Sequence, residues 1–261
     1  MSATPPRLHV ESVGQGRPLV LLHGWALHAG LFAPILPALA TAHRVRAVDL
    51  PGHGHSAPLA DWSIERVVDV LDAELGDDDT PPDVLGWSLG GLCALAWARR
   101  HPGRVRRLVL VATTPRFAAG DDWPHAMAPL TLSRFADELR VAYRATLQRF
   151  LTLQVQGSDE GRATLAEMRH ALFARGTPDP AVLSEALVTL AATDVRADVP
   201  GIRNPVLVVA GDRDTLAPVE AAAWLADALP DARLAQIAGA AHAPFLSHRD
   251  AFLGIVAGFL R

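Results

Sequence analysis

The sequence predicts an α/β fold: a mostly parallel, doubly wound sheet with an inserted helical subdomain. Three observations lead to this prediction. Short apolar runs alternate with longer helical stretches over most of the chain, which is typical of strand–helix–strand units. A Gly-x-Ser-x-Gly motif, residues 86–90, stands between one apolar run and the next helical stretch. The alternation stops between residues 115 and 195, where only helical patterns occur.

Six apolar runs are predicted as strands. They are rich in Val and Leu and show no polar alternation, which indicates strands buried on both faces of a parallel sheet. The predicted strands cover residues 18–22, 45–50, 84–86, 105–112, 205–210 and 233–237. The helices predicted between and after them cover residues 30–40, 64–75, 89–101, 219–229 and 249–260.

The stretch from 115 to 195 is predicted to form helices over 134–156, 160–174 and 181–192. Ligands of open α/β sheets bind outside the carboxyl ends of the strands, which is where this stretch begins and ends. We therefore predict a core of residues 1–114 and 196–261, with 115–195 as a helical cap (lid) over the site. The alternative is extra scaffold without a role at the site.

The run Gly86-Trp87-Ser88-Leu89-Gly90-Gly91 predicts a nucleophilic serine. A Gly-x-Ser-x-Gly turn between a strand and a helix presents its serine at the mouth of the sheet, at the amino end of the helix. The flanking glycines are needed because the turn leaves no room for side chains. Ser88 is therefore the candidate nucleophile of acyl transfer.

Two backbone N–H groups are candidates for stabilising the oxyanion that such a reaction forms. One belongs to Leu89, the residue after the nucleophile, and the second should come from the loop after an early strand. His23-Gly24-Trp25 is that loop, and the N–H of Trp25 is the candidate. We expect His23 to support the loop by hydrogen bonding, and Trp25 to form a wall of the pocket.

A serine needs a base that takes its proton and an acid that orients the base. His242 follows the last predicted strand and is favoured as the base over His248, which begins the final helix. The strand 205–210 is followed by two carboxylates, Asp212 and Asp214. We favour Asp214 as the partner of His242 and expect Asp212 to make hydrogen bonds within the turn.

Composition excludes several other classes. The chain has 261 residues, of which half are hydrophobic, and a net charge of −4, which argues against a nucleic-acid partner. No apolar run is long enough to span a membrane, residues 1–6 show no secretory signal, and the single cysteine, Cys93, fits a cytoplasmic protein.

His53 and His55 alternate in a Gly-rich loop, but no carboxylate cluster completes a metal site there. No cofactor motif is found.

The chain resembles the α/β-hydrolase superfamily in the motifs at 23–25, 49–56 and 86–91. Narrower details resemble the pimeloyl-acyl-carrier-protein methyl ester esterases of biotin synthesis. They are the tryptophans at 25 and 87, Asp122-Trp123-Pro124, the run 149–154 and the run 241–248. The resemblance implies a cytoplasmic, cofactor-free serine carboxylesterase, here expected to be a monomer. It implies the triad Ser88, Asp214 and His242, and substrate contacts at Trp25, Leu89 and Phe150.

The resemblance also implies an acyl carrier protein as the partner that presents the substrate. That partner is acidic, and the predicted cap carries several arginines. Arg149 and Arg162 resemble basic positions of the family's cap and are the candidate docking residues. Arg140, Arg144 and Arg169 lie on the same segment. The alternative for each arginine is a solvated helix face.

Two other functions remain open on the sequence alone. The same triad serves general carboxylesterases and carbon–carbon bond hydrolases that act on other small acyl compounds. A binding protein that kept the fold without turnover, such as a ligand receptor, is the alternative from a different class, although the complete triad argues against it.

Overall fold

The computed structural model describes residues 7–76, 80–176 and 178–261. Residues 1–6, on which the predicted lack of a secretory signal rests, lie outside the described residues. In the described part of the chain, no helix is both long and apolar enough to cross a membrane.

A seven-stranded sheet forms the centre of the molecule, with the strand order β1-β3-β2-β4-β5-β6-β7. Only β1 runs antiparallel, and it pairs with β3 at the edge of the sheet. The strands are β1 (Val10–Val13), β2 (Arg17–Leu22), β3 (His43–Val48), β4 (Asp83–Trp87), β5 (Leu108–Val111), β6 (Val206–Gly211) and β7 (Ala232–Ile237). All six predicted strands are present, and the predicted fold class is confirmed.

Helices cover both faces of the sheet, and the described part of the segment between β5 and β6 contains helices and loops but no strand longer than an isolated bridge. The helices are α1 (Leu36–Leu39), α2 (Ile64–Leu75), α3 (Leu89–Arg100), α4 (Pro129–Gln154), α5 (Gly161–Leu172), α6 (Pro180–Ala192), α7 (Val219–Ala228), α8 (Pro244–Ser247) and α9 (Arg249–Leu260). Short 3₁₀ turns cover Ala29–Phe32 and Val199–Gly201.

The helix predicted over residues 30–40 is wrong. The structure has a 3₁₀ turn, Ala29–Phe32, followed by the single turn of α1. Pro34 and Pro37 explain the difference, because a proline inside a helix removes a hydrogen bond and clashes with the preceding turn. Pro37 is tolerated because it lies in the first turn of α1, whose N–H groups need no partner within the helix.

The chain from 115 to 195, hereafter the 115–195 segment, leaves the sheet after β5 and returns beside its own start. Val195 donates its backbone N–H to the carbonyl of Pro115 at 3.0 Å. Side chains reinforce this junction, since Arg196 binds Asp122 and Asp194 at 2.7 Å each. Within the segment, α4 is kinked at Ala142, whose φ and ψ are −136° and 45°.

Candidate active site

Ser88 occupies a strained turn between β4 and α3. Its φ is 54° and its ψ is −115°, a region that residues with a side chain rarely adopt. The turn depends on close backbone contacts: a Cβ atom on Gly86 would lie 2.4 Å from the Gly90 carbonyl oxygen, and one on Gly90 would lie 2.2 Å from that of Leu22. Only glycine fits at these two positions, so the sequence spacing and the turn geometry agree.

Three side chains from three separate loops meet at this turn. The Ser88 Oγ lies 2.9 Å from His242 Nε2, and His242 Nδ1 lies 2.7 Å from Asp214 Oδ2. Because a carboxylate can only accept, the hydrogen of the imidazole is on Nδ1 and Nε2 is free to accept from the Ser88 hydroxyl. All three side chains are nearly buried, with Ser88 the most exposed at 9%.

The two candidate acids occupy different places in the loop after β6. Asp214 contacts His242 through Oδ2, while its Oδ1 accepts the backbone N–H groups of Leu216 and Ala217 at 2.8 and 3.0 Å. Asp212 is exposed and accepts the N–H of Gly239 at 2.8 Å. His248 contacts the hydroxyl of the adjacent Ser247 and lies outside this chain of hydrogen bonds.

The backbone N–H groups of Leu89 and Trp25 are both free to bind an anion. Neither donates a hydrogen bond to any group in the described part of the chain. Leu89 begins α3, so its N–H adds to the positive end of the helix dipole. The loop of Trp25 passes against the nucleophile, since a Cβ atom on Gly24 would lie 3.4 Å from the Ser88 Cβ.

The main chain of His242 is hydrogen-bonded, as its ring is. Trp87, the residue before the nucleophile, donates its indole N–H to the His242 carbonyl at 2.7 Å. The N–H of His242 donates to the carbonyl of Gln154 at the end of α4, at 3.0 Å. The 115–195 segment therefore contacts the histidine directly, which the sequence analysis did not anticipate.

Aromatic residues of the 115–195 segment pack against Trp25, which lies in the loop beside Ser88. Phe150 of α4 contacts Trp25 edge-on, with ring centroids 4.8 Å apart, and Phe135 lies beyond it at 6.1 Å. The Trp25 indole N–H donates to the carbonyl of Leu183 in α6 at 3.0 Å. Trp25 and Phe150 therefore form one wall, built from both the sheet side and the helical segment.

Gln154 was missed as a site residue. Its side-chain oxygen is buried and accepts no hydrogen bond from the described residues, and an unpaired buried polar atom is costly unless it serves a purpose. Its position at the carboxyl end of the run 149–154 was the available signal.

His23 has the supporting role predicted for it. Leu50 donates its N–H to His23 Nε2 at 2.9 Å, so His23 Nδ1 carries the hydrogen that binds the Gly24 carbonyl at 2.8 Å. Burial, together with the nearby His53, lowers the pKa of His23 to about 3. The neutral ring therefore joins the loop after β2 to the loop after β3.

The two histidines of the loop after β3, His53 and His55, differ in burial. Burial lowers the pKa of His53 to about 4. His55 is exposed and groups with His9 and Asp49, whose ligand atoms lie within 4.8 Å of one another. The sequence indicates no carboxylate cluster beside these histidines, and the fold brings one carboxylate, that of Asp49, to His55 and His9. Arg175 of the 115–195 segment already binds the Asp49 carboxylate at 2.8 and 3.0 Å, so a cation occupies that position.

The five arginines considered for docking on the 115–195 segment are exposed, in contrast to Arg175. Arg149 is paired with Glu138 and stacks over Phe135 at 5.0 Å. Arg162 is exposed on α5 and has no ion-pair or hydrogen-bond partner among the described residues. The other three, Arg140, Arg144 and Arg169, are also exposed. The structure does not bring these five arginines into one cluster with the catalytic side chains.

Comparison with known proteins shows the family of this chain. The α/β-hydrolase fold family matches residues 17–249. The pimeloyl-[acyl-carrier protein] methyl ester esterase of Chromobacterium violaceum is 45% identical over 97% of this chain and 98% of its own. The enzyme of the same name from Xanthomonas axonopodis pv. citri is 44% identical over 93% and 94% of the two chains.

Among solved structures, an esterase from Exiguobacterium antarcticum superposes with a TM-score of 0.88. It covers 98% of this chain and 96% of its own at 21% identity, which supports the fold. The chain therefore belongs to the α/β-hydrolase family and, within it, to the family of the pimeloyl-[acyl-carrier protein] methyl ester esterases.

Proposed function

We propose that this protein is a serine carboxylesterase that hydrolyses the methyl ester of a pimeloyl group carried by acyl carrier protein, releasing methanol, in biotin synthesis. The observation that carries the proposal is the series of hydrogen bonds from Ser88 through His242 to Asp214. Relatives that bear this activity in their names match the chain over nearly its whole length, including the 115–195 segment.

Acylation begins when the Ser88 Oγ attacks the ester carbonyl carbon and His242 Nε2 takes the hydroxyl proton. Asp214 keeps the imidazole in the required tautomer and stabilises the imidazolium that forms. The tetrahedral intermediate then collapses, the bond from carbon to the methoxy oxygen breaks, and His242 returns its proton to that oxygen. Methanol leaves, and the acyl group stays on Ser88.

Deacylation repeats the same steps with water as the nucleophile. His242 Nε2 takes a proton from water, the hydroxide adds to the acyl carbonyl, and the proton returns to the Ser88 Oγ as the free acid departs. In both halves, the N–H groups of Leu89 and Trp25 stabilise the oxyanion. Each such donor contributes on the order of 3 kcal/mol to the lowering of the barrier.

The 115–195 segment acts as the cap of this site, with Trp25, Leu89 and Phe150 as the residues that contact the acyl chain. A pimeloyl chain is a run of methylene groups, and the apolar wall of Trp25 and Phe150 suits such a chain. The carrier protein is an acidic partner, for which Arg149 and Arg162 on the outer face of the cap are the docking residues. We infer a monomer that works in the cytoplasm.

The decisive experiment compares the wild type with Ser88→Ala on two substrates. We expect the wild type to hydrolyse both p-nitrophenyl acetate and the methyl ester of pimeloyl-acyl carrier protein, and Ser88→Ala to hydrolyse neither. Wild-type expression should also restore biotin-independent growth to a strain that lacks its own pimeloyl methyl esterase. Turnover of p-nitrophenyl acetate without growth would indicate a general esterase, and absence of any turnover would indicate a ligand receptor.

Docking is tested separately with Arg149→Glu combined with Arg162→Glu. We expect slower turnover of the carrier-bound ester with unchanged turnover of a small free ester. The matched control combines Arg66→Glu with Arg203→Glu, two exposed arginines outside the 115–195 segment that give the same change in net charge. If the control slows the carrier-bound reaction equally, net charge explains the effect and docking at Arg149 and Arg162 is ruled out.

A further inference from the structure

The turn between α4 and α5, residues 154–159, touches both loops that supply His242 and Asp214. On the histidine side there are two backbone contacts. His242 donates its N–H to the Gln154 carbonyl at 3.0 Å, and Asp159 donates its N–H to the Gly239 carbonyl at 3.0 Å. These bonds join the 115–195 segment to each end of the short stretch that carries the base.

On the acid side, the contact is made by Arg213, the residue immediately before Asp214. Its Nη1 donates to the Asp159 carboxylate at 2.6 Å and to the Gly157 carbonyl at 2.9 Å. The backbone N–H of Arg213 also donates to the Ala240 carbonyl at 2.9 Å. Arg213 therefore binds the 154–159 turn with its side chain and the histidine loop with its backbone.

The fit at this junction is close. Gly239 has a φ of +77°, and a Cβ atom there would lie 2.2 Å from the Asp159 carboxylate. Only a residue without a side chain allows the turn to approach the histidine loop so closely. A displacement of the turn would be passed to the loop through two backbone hydrogen bonds and the Arg213–Asp159 pair.

We propose that Arg213 and Asp159 are positioning residues, which fix the loops of Asp214 and His242 against the 154–159 turn so that the base is aligned with Ser88. This proposal rests on the proposed function, in which these three side chains form the catalytic triad. Neither positioning residue touches the substrate. Their effect is to keep the base in place, and a misplacement of about 1 Å can slow a reaction about 100-fold.

The test uses Arg213→Gln, Asp159→Asn and the exchanged pair Arg213→Asp with Asp159→Arg. With p-nitrophenyl acetate, we expect each single variant to lower kcat about 10-fold and to leave KM within about twofold, since substrate contacts are unchanged. The exchanged pair should recover part of kcat because it restores the ion pair. Single variants with kcat within twofold of wild type would overturn the proposal, and so would a loss of kcat of which the exchanged pair recovers nothing.

The matched control is a second ion pair that also joins the 115–195 segment to the sheet side. Arg249 of α9 binds Glu167 of α5 at 2.5 Å. The Arg249 and Glu167 side chains are 38% and 41% exposed, close to the 46% and 57% of the Arg213 and Asp159 side chains. This control pair contacts neither catalytic loop. We expect Arg249→Gln to change kcat less than twofold. An equal loss in both pairs would show that general attachment of the segment matters and would overturn the positioning role.

Hydrogen exchange gives a readout that does not depend on turnover. The peptide containing His242 should exchange faster in Arg213→Gln than in the wild type or Arg249→Gln. Unchanged exchange in that peptide would refute the positioning role even if the wild type proved to have no esterase activity. Failure of the proposed function would instead appear as absence of turnover in the wild type, with the exchange difference intact.

Discussion

The turn at Ser88 and the 115–195 segment differ in how they are held. At the turn, backbone atoms are in direct contact, and added Cβ atoms at Gly86 or Gly90 would lie 2.2–2.4 Å from a carbonyl oxygen. The segment is attached through separate side-chain contacts, both apolar and polar, such as those of Trp25 with Phe150 and with the Leu183 carbonyl and of Arg175 with Asp49. Of the large hydrophobic side chains exposed among the described residues, Leu130, Val141 and Val188 lie on the segment, and only Val13 lies elsewhere.

Because of this difference, the turn and the segment should contribute to the site in different ways. The sheet fixes Ser88 and the free N–H group of Leu89, because a close-packed backbone leaves little room for another arrangement. The segment contacts Trp25 and the backbone of His242 through separate contacts that can break one at a time. Substitutions at the turn and at the triad should therefore have the largest effects, and substitutions in the segment should have smaller ones.

The largest effect is expected at Asp214. Asp214→Asn keeps the shape of the side chain but lets the imidazole adopt the wrong tautomer, which lowers kcat about 10⁴-fold in hydrolases of this type. Asp212→Asn is the matched control, since among the described residues that carboxylate accepts only the Gly239 N–H, and it should leave kcat nearly unchanged. Steady-state kinetics on p-nitrophenyl acetate measures both, and the reverse result would exchange the roles of the two carboxylates.

Gly90→Ala tests the packing of the turn itself. The new methyl group would meet the Leu22 carbonyl oxygen, and the free energy of unfolding should fall by about 3 kcal/mol or more because backbone has to move. Gly254→Ala in α9 is the control. A Cβ atom there meets nothing within 4 Å, so it should stabilise the protein by about 0.5–1 kcal/mol. Urea denaturation measures both changes. A small loss for Gly90→Ala would show that the turn can relax.

The parts of the molecule that could be predicted from the sequence are those with local signals. Strands β2, β4, β5 and β6 are largely apolar and buried, and the strained turn is marked by Gly86 and Gly90, whose absent side chains are required by the backbone contacts. Strand β1 has the sequence Val10-Glu11-Ser12-Val13, with one half-buried and three exposed residues. An edge strand with so little burial leaves no apolar pattern, which is why it was missed.

Contacts between distant parts of the chain could not be predicted. The Gln154 carbonyl that accepts the His242 N–H is a backbone group, and any residue type supplies one. Arg175 reaches Asp49 across 126 positions, and nothing in either local sequence indicates the pairing. The triad could be proposed because its three members follow strands or precede helices, whereas the attachments of the 115–195 segment follow from tertiary packing alone.

Acid should lower the free energy of unfolding through the buried histidines beside the sheet. Burial lowers the pKa of His53 to about 4, and His53 Nε2 is buried without a partner among the described residues. Below the unfolded pKa of 6.5, the unfolded chain binds a proton that folded His53 does not. The free energy of unfolding therefore falls as the pH drops from 6.5 toward 4, with His53 accounting for about 2 kcal/mol at pH 5.

His23, with its pKa lowered to about 3, acts in the same direction over the same range. The Asp49 carboxyl has a lowered pKa despite its burial, so its contribution is present above pH 3.8 and lost only below it. Denaturation at pH 7 and pH 5 measures how far the free energy of unfolding falls between the two pH values. His53→Asn should make this fall smaller, while His170→Asn, at an exposed position on α5, should leave it unchanged. An equal fall in free energy in both variants would exclude His53 as the cause.

The smallest effect is expected within the segment, at Tyr143. Its hydroxyl donates to the Pro178 carbonyl at 2.6 Å and so joins α4, just after the kink at Ala142, to the start of α6. Tyr143→Phe removes one partly buried hydrogen bond, worth about 1 kcal/mol. Hydrogen exchange should quicken in α4 and α6 and stay unchanged in β4 and β5, because the segment can loosen while the sheet remains intact. Faster exchange in the sheet as well would mean that the two regions unfold as one unit, and the distinction between them would fail.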